Sequence, residues 1–260
     1  VNNLAPVSKW AEYIILRTQD NLNFIKDIGA RVTMFFPEAH LLNALSSLNE
    51  NSVISIGSQG VFRQDTSAGG NFGAFTTNRT ANSVKATGCN DVLIGHCEER
   101  RDILEIINEA GSNDRDAVNR ILNKEVLCAQ KAGLNVLYCI GETYEEMDNY
   151  KNILSAHIAT GLAGADLNKI VIAYEPVWAI GPGKTPPDKD YIQKIGRFIK
   201  ETSGGLPVVY GGGLKKENSA MIASIPEIDG GLIALTRFGE DFGFYPEEFI
   251  EIVKIYLEEV

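Results

Sequence analysis

The chain has 260 residues, 44% hydrophobic and 22% charged, with a formal net charge of -10. At this length roughly three-quarters of the unfolded surface can be buried, so residues 1–260 are expected to form one globular domain. The acidic balance argues against nucleic acid and anionic membranes as partners, since both attract basic proteins.

In chain order, residues 9–24 carry Tyr13, Ile14, Leu16 and Leu22 at helical spacing, with Ser8 as the expected N-cap. The run 31–36 reads as a strand stopped by Pro37, and Ala39, Leu42, Leu45 and Leu48 follow as a helix face. A second strand at 53–57 leads into the glycine-rich segment 66–77, too polar to be core. After a short helix-like stretch comes a strand at 91–95. A helix on Val118, Ile121, Leu122 and Val126 ends near Gly133, followed by a strand at 135–140. Met147, Tyr150, Leu154 and Ile158 form the next helix face. The β-branched run 170–173 is a strand, and Ile192, Ile195 and Ile199 mark another helix. Strands at 207–211 and 231–235 precede a last helix that begins at Pro246, with Phe249, Val253 and Leu257 facing inward.

Strands and helices alternate, and the strands are apolar without in-out alternation, which predicts a parallel sheet covered on both faces. Seven strands are visible. The length fits a closed (β/α)8 TIM barrel better than an open doubly wound sheet, so one strand, the first, is missing from the reading. No apolar run approaches the roughly 20 residues of a membrane span, and no basic-then-apolar leader opens the chain. Cys89, Cys97, Cys128 and Cys139 form no C-x-x-C pair, which reads as reduced thiols in a cytoplasmic protein.

The chemistry gathers at strand carboxyl ends, where active sites of such folds lie. Glu175 follows the strand at 170–173 and is itself followed by Pro176 and an apolar loop closed by Gly181-Pro182-Gly183. This arrangement reads as a base beneath a hinged lid, because apolar walls raise a carboxylate's pKa toward the useful range. His96 follows the strand at 91–95 and supplies a neutral hydrogen-bond donor. Gly211-Gly212-Gly213 offers backbone N–H groups for a phosphate. Gly183-Lys184-Thr185 resembles the end of a P-loop, but Trp178 stands where that motif needs glycine. No G-x-G-x-x-G follows the first strand, His157 reads as packed, and His40 opens a surface helix. No His/Asp/Glu cluster stands at ligand spacing, so neither metal nor cofactor is expected. Base, donor and phosphate nest together describe proton abstraction next to a carbonyl, with a lid that excludes water.

These residues resemble the triosephosphate isomerase family. The matching stretches are Ile94-Gly95-His96-Cys97-Glu98, Cys139-Ile140-Gly141-Glu142, residues 173–181, Gly183-Lys184-Thr185, Tyr210-Gly211-Gly212 and Asp229-Gly230. The resemblance implies a cofactor-free isomerase that interconverts glyceraldehyde 3-phosphate and dihydroxyacetone phosphate through an enediolate. It implies Glu175 as base, His96 as electrophile, and Glu98 as the neighbouring carboxylate in the site. It also implies phosphate contacts at Gly181, Gly212, Gly213, Ala234 and Leu235. Gly73-Ala74-Phe75-Thr76 resembles the loop through which the family dimerises, so a homodimer through residues 69–77 is expected. Residues 65–72 lengthen that loop.

The departures leave alternatives open. The family's first strand ends in Asn-x-Lys, and Asn2, Asn3 and Lys9 do not match it. The expectation is therefore that the native protein starts upstream of Val1. Gly213 stands for a serine and Ala234-Leu235 for two glycines, while Arg237 is a candidate replacement contact to phosphate. Cys97 replaces the usual serine. Asn78 and Glu99 stand where the family often has an ion pair. The substrate could thus be a longer ketose phosphate such as a tetrulose phosphate, or the chain a non-catalytic barrel homologue.

Overall fold

The computed structural model describes residues 4–73, 75–181, 183–237 and 239–258. Asn2, Asn3, Ala74 and Pro182, named above, lie outside them. In chain order the elements are α1 (Trp10–Thr18), β1 (Val32–Phe36), α2 (Leu41–Ser46), β2 (Ile54–Ser58), α3 (Ala81–Thr87), β3 (Asp91–Ile94), α4 (Cys97–Glu109) and α5 (Asp116–Lys131). Then come β4 (Asn135–Ile140), α6 (Tyr150–Gly161), β5 (Ile170–Tyr174), α7 (Lys189–Ser203), β6 (Val208–Tyr210), α8 (Lys216–Ala223), β7 (Gly230–Gly231) and α9 (Pro246–Glu258), with short 3-10 turns between. All seven strands pair in parallel, in sequence order. This is a TIM-barrel-like curled sheet with helices; among the described residues no further strand joins β7 to β1. Nor, among them, is any helix long and apolar enough to cross a membrane.

The pleat divides the strands into two layers, because successive side chains point to opposite faces. Ile56, Val92, Ile94, Val136, Tyr138, Ile172, Val208 and Tyr210 face the helices in one large core. Leu93, Cys139 and Ala173 face the other way, inside the curl, with half-buried Phe35, Leu137, Val209 and Leu232 around them. The Phe35 ring lies across Gly57, where a Cβ would meet it at 2.5 Å. At the amino ends of the strands, the buried Asp91 carboxylate accepts hydrogen bonds from Arg31, from Ser55 Oγ at 2.5 Å and from Asn135 Nδ2 at 3.2 Å. One residue of β3 thereby ties together the starts of β1, β2 and β4.

Several sequence expectations are corrected. The helix expected over 9–24 starts at Trp10 with Lys9, not Ser8, as N-cap, and it ends at Thr18. The Thr18 hydroxyl bonds back to the Ile14 carbonyl at 2.7 Å, a local alternative to continuing the ladder, and a 3-10 segment follows over Asp20–Lys26. Leu16 is exposed. In α2 a 3-10 turn shifts the register, so Leu41 and Ala44 are buried while Leu42 is 67% exposed. In α9 the deepest positions are Ile250, Ile252 and Tyr256; Phe249, Val253 and Leu257 are half-buried beside them. The last strand is only Gly230–Gly231, because the chain leaves β6 after Leu232 and Arg237 bridges to Gly243 instead. Helices α4 and α8 were not anticipated.

Candidate active site

Two close backbone approaches place the main side chains. Gly95 ends β3 with φ +82°, and a Cβ there would stand 2.9 Å from the Cys139 carbonyl, so only glycine makes this turn comfortably. The Gly95 N–H donates to Glu99 Oε2 at 2.6 Å, and Arg100 bridges the Gly95 and Cys139 carbonyls. The turn delivers His96 to the N-cap of α4, where its Nδ1 accepts the Glu98 N–H at 3.4 Å. With Nδ1 accepting, the imidazole carries its proton on Nε2. Across the sheet, the Glu175 N–H donates to the Ile140 carbonyl at 2.8 Å. A Cβ on Gly141 would come within 1.7 Å of the Glu175 carbonyl, so β4 and β5 reach this contact only through glycine.

The result is a facing pair. Glu175 is 2% exposed. Its Oε1 lies 3.1 Å from His96 Nε2, and its Oε2 accepts the Cys97 N–H at 3.0 Å. Burial pushes the Glu175 carboxyl up from its ordinary value, while His96 and the Cys97 N–H pull against that rise. Burial also pushes the Cys97 thiol up to about 12, with the Glu175 and Glu98 carboxylates adding to the effect.

The pair opens into a cavity of about 100 Å³ that holds His96, Glu175, Gly181, Gly212, Gly213, Ala234 and Leu235 among its walls. Among the described residues, the backbone N–H groups of Gly213, Ala234 and Leu235 have no hydrogen-bond partner, which suits an anion. Lys184 and Lys215 also line it; sequence reasoning passed over both as cations, although each follows a glycine loop. A larger depression of about 470 Å³ lies at the amino end of β7 against Tyr256. Its charged group, Asp229, is already ion-paired with Lys200.

One expected phosphate contact stands elsewhere, and the neighbouring carboxylate lies beside His96. Arg237 is not in the cavity wall: its Nε donates to Glu248 Oε1 at 2.6 Å, and its guanidinium stacks 3.8 Å over the Tyr245 ring. Glu98, 73% exposed in its side chain, sits 3.7 Å from His96 Nδ1, on the side of the ring away from Glu175. At position 99, Glu99 faces the buried Glu125, whose carboxyl rises through burial first and Glu99 second.

The loop after β5 has an anchor, Glu142, whose role no local sequence pattern marks. Fully buried Glu142 accepts three hydrogen bonds on Oε1: Tyr174 Oη at 2.8 Å, Trp178 Nε1 at 3.0 Å and Tyr191 Oη at 3.1 Å. Burial raises the Glu142 carboxyl, and these donors oppose the rise. The loop after β5 starts with a 3-10 turn at Val177–Ala179 and includes Gly181 and Gly183, both with positive φ.

A family model described as triosephosphate isomerase matches residues 11–255. The triosephosphate isomerase of Chloroherpeton thalassium is 32% identical over 225 residues, covering 81% of this chain and 79% of that protein. That of Pelodictyon phaeoclathratiforme is 36% identical over 196 residues, covering 71% and 70%. A crystal structure of triosephosphate isomerase from Bartonella henselae superposes with a TM-score of 0.75 at 23% identity, over 98% of this chain and 96% of that one, a likeness of fold. Fold and relatives together define a class, the isomerases built on a TIM-barrel-like sheet. Within it, the chain belongs to the triosephosphate isomerase family.

Proposed function

We propose that this chain interconverts D-glyceraldehyde 3-phosphate and dihydroxyacetone phosphate, with Glu175 as the base and His96 as the hydrogen-bond donor to the carbonyl. The observation that carries the reading is the buried Glu175 carboxylate 3.1 Å from His96 Nε2, at one end of a cavity whose other end offers open backbone N–H groups. Glu175 takes a proton from the carbon beside the carbonyl, the Nε2–H stabilises the enediolate oxygen, and the proton returns to the neighbouring carbon. The balance is internal to the substrate, so the steps call for no cofactor. Phosphate rests on the N–H groups of Gly213, Ala234 and Leu235, with Lys184 and Lys215 as nearby cations. Closure over the cavity keeps water from the intermediate.

We place the enzyme in the cytoplasm, supported by its free cysteines, and acting as a homodimer through residues 69–77, where Phe72 is 91% exposed.

The test is turnover of glyceraldehyde 3-phosphate and of tetrulose phosphates by the wild type and by Glu175→Gln. The expected result is triose turnover that falls at least ~10²-fold in the variant, the scale of general-base catalysis. Equal turnover in both proteins would remove Glu175 from the role. Faster turnover of the tetrulose phosphate would change the substrate, and none on any sugar phosphate would favour a binding protein.

A further inference from the structure

The turn that delivers His96 is held from behind by two helices. Gly95 is buried and lies just beyond β3, and its N–H pairs with a side chain, Glu99 Oε2 at 2.6 Å. Its carbonyl accepts Arg100 Nε at 2.9 Å. Three buried residues of α5, spaced three apart along one face, meet this turn in order. Asn119 Oδ1 accepts Arg100 Nη1 at 2.9 Å, and Leu122 Cδ1 would stand 3.4 Å from a Cβ on Gly95. Next along the face, the Glu125 carboxyl hydrogen-bonds with that of Glu99. Glu125 is only 6% exposed, and its buried Oε2 has no donor among the described residues. A carboxyl so placed is held more cheaply neutral than charged, and two that share a site do not both ionise.

We propose that Glu99 and Glu125 are positioning residues for His96: one proton joins them, keeps the Glu99 carboxylate on the Gly95 N–H, and so fixes the imidazole against Glu175. Glu99, half-buried and accepting the Gly95 N–H, is the ionised member. Glu125 carries the proton and donates it. Arg63 and Arg79, from the segment after β2, favour its ionisation, and Cys128 is the titratable neighbour on α5 itself. His157 of α6 feels Arg100 instead of the pair. When Glu125 loses its proton, two negative charges face each other. Glu99 is the less confined, so it turns away and the Gly95 N–H loses its acceptor. Misplacement of a reacting group by about 1 Å can cost about 10²-fold in rate. The protonated pair is therefore the active form, and activity is lost as pH rises through the Glu125 value of about 9. The effect on turnover rests on the function proposed above; the placing of His96 does not.

Proton NMR of the His96 ring, followed from about pH 7 to about pH 10 beside kcat/KM for triose phosphate, tests this. The chain has three histidines, and His96→Asn assigns the signal. In the wild type the ring signal is expected to step with a midpoint of about 9. Over the same step kcat/KM is expected to fall about tenfold between about pH 8 and about pH 10. The Cys97 thiol, pushed up to about 12, stays protonated over this span. Glu125→Gln keeps a neutral donor that cannot titrate and is expected to remove both steps. Glu99→Gln keeps an acceptor for Gly95 without the charge, so it is expected to lower the midpoint; it serves if the first variant fails to fold. A flat His96 signal in the wild type would overturn the proposal. So would the same step in Glu125→Gln with native circular dichroism, or an unmoved midpoint in Glu99→Gln. A His96 step without triose turnover would support the placing and overturn the isomerase reading, and turnover without a step would do the reverse.

Discussion

Burial works on two glutamates of this chain in the same direction for different ends. At Glu175 it raises the carboxyl against the pull of His96 and the Cys97 N–H. In its proposed role as base Glu175 acts deprotonated, so kcat/KM is expected to fall on the acid side at a pH above the ordinary carboxylate range; a pH–rate profile measures this limb. At Glu125 burial and the adjacent Glu99 push the carboxyl up to about 9, against Arg63 and Arg79. The folded state therefore holds a proton that the unfolded chain has already lost. The stability this supplies is complete below the unfolded carboxyl's pKa of about 4.3 and is lost as the pH rises through the folded value. Glu125→Gln keeps the neutral shape without titrating. Its urea midpoint is expected to gain on the wild type steadily from pH 5 to pH 9, and a constant gap would show that Glu125 is already ionised.

Among the elements, the lid depends on a residue outside it. Glu142 lies in the turn after β4, yet its Oε1 collects donors from β5, the lid and α7. Trp178→Phe removes this loop's own donor at a cost of about 1.5–3 kcal/mol, the range for a hydrogen bond to a charged group. Tryptic cleavage at Lys184, exposed in the loop, is then expected to speed up at least about tenfold, as 1.4 kcal/mol corresponds to that factor. An unchanged cleavage rate would mean that the lid is held elsewhere. What sequence could and could not disclose divides at this scale. The placing of Glu175 and His96 at strand carboxyl ends was legible because each comes just after an apolar run, Glu175 directly and His96 beyond Gly95. The bounds of β4 were legible because its apolar run is bracketed by Gly133 and Gly141. Helix α4 was not legible because five consecutive charged residues, Glu98 to Asp102, open it and mask the stripe of Ile103, Leu104 and Ile107 that packs on the core; its acidic first turn was the available signal. The work of Glu142 and the meeting of Cys97 with Glu175 depend on which strands become neighbours, and no local pattern encodes that.

For the molecule as a whole, chemistry and cohesion sit at opposite ends of the sheet. The segments after β3, β5 and β6 line the cavity through His96, Glu175 and Gly211 to Gly213, while the strand starts are drawn together by Asp91. Asp91→Ala leaves Ser55 Oγ and the Arg31 guanidinium without their acceptor in a half-buried setting, while Asn135 keeps its bond to the Asn90 carbonyl. The expected loss is about 2–3 kcal/mol of unfolding free energy, read by urea denaturation, with KM for triose phosphate unchanged. A shift in KM would mean that the two ends are coupled through the strands. The acidic net charge of -10 fits this division, because the proposed anion site uses backbone N–H groups and two lysines instead of an overall positive field.

The indole of Trp178 spans the lid's first turn and is held between the Glu142 carboxylate and the Tyr191 ring, at 5.6 Å between centroids. The sequence contains only one other tryptophan, Trp10, which packs against Phe36 and His40 in another part of the molecule. Trp10→Phe thus leaves a single emitter whose polar contact is a fixed point of the lid. Its fluorescence becomes a built-in clock for the closure proposed above, readable in stopped flow without any attached label.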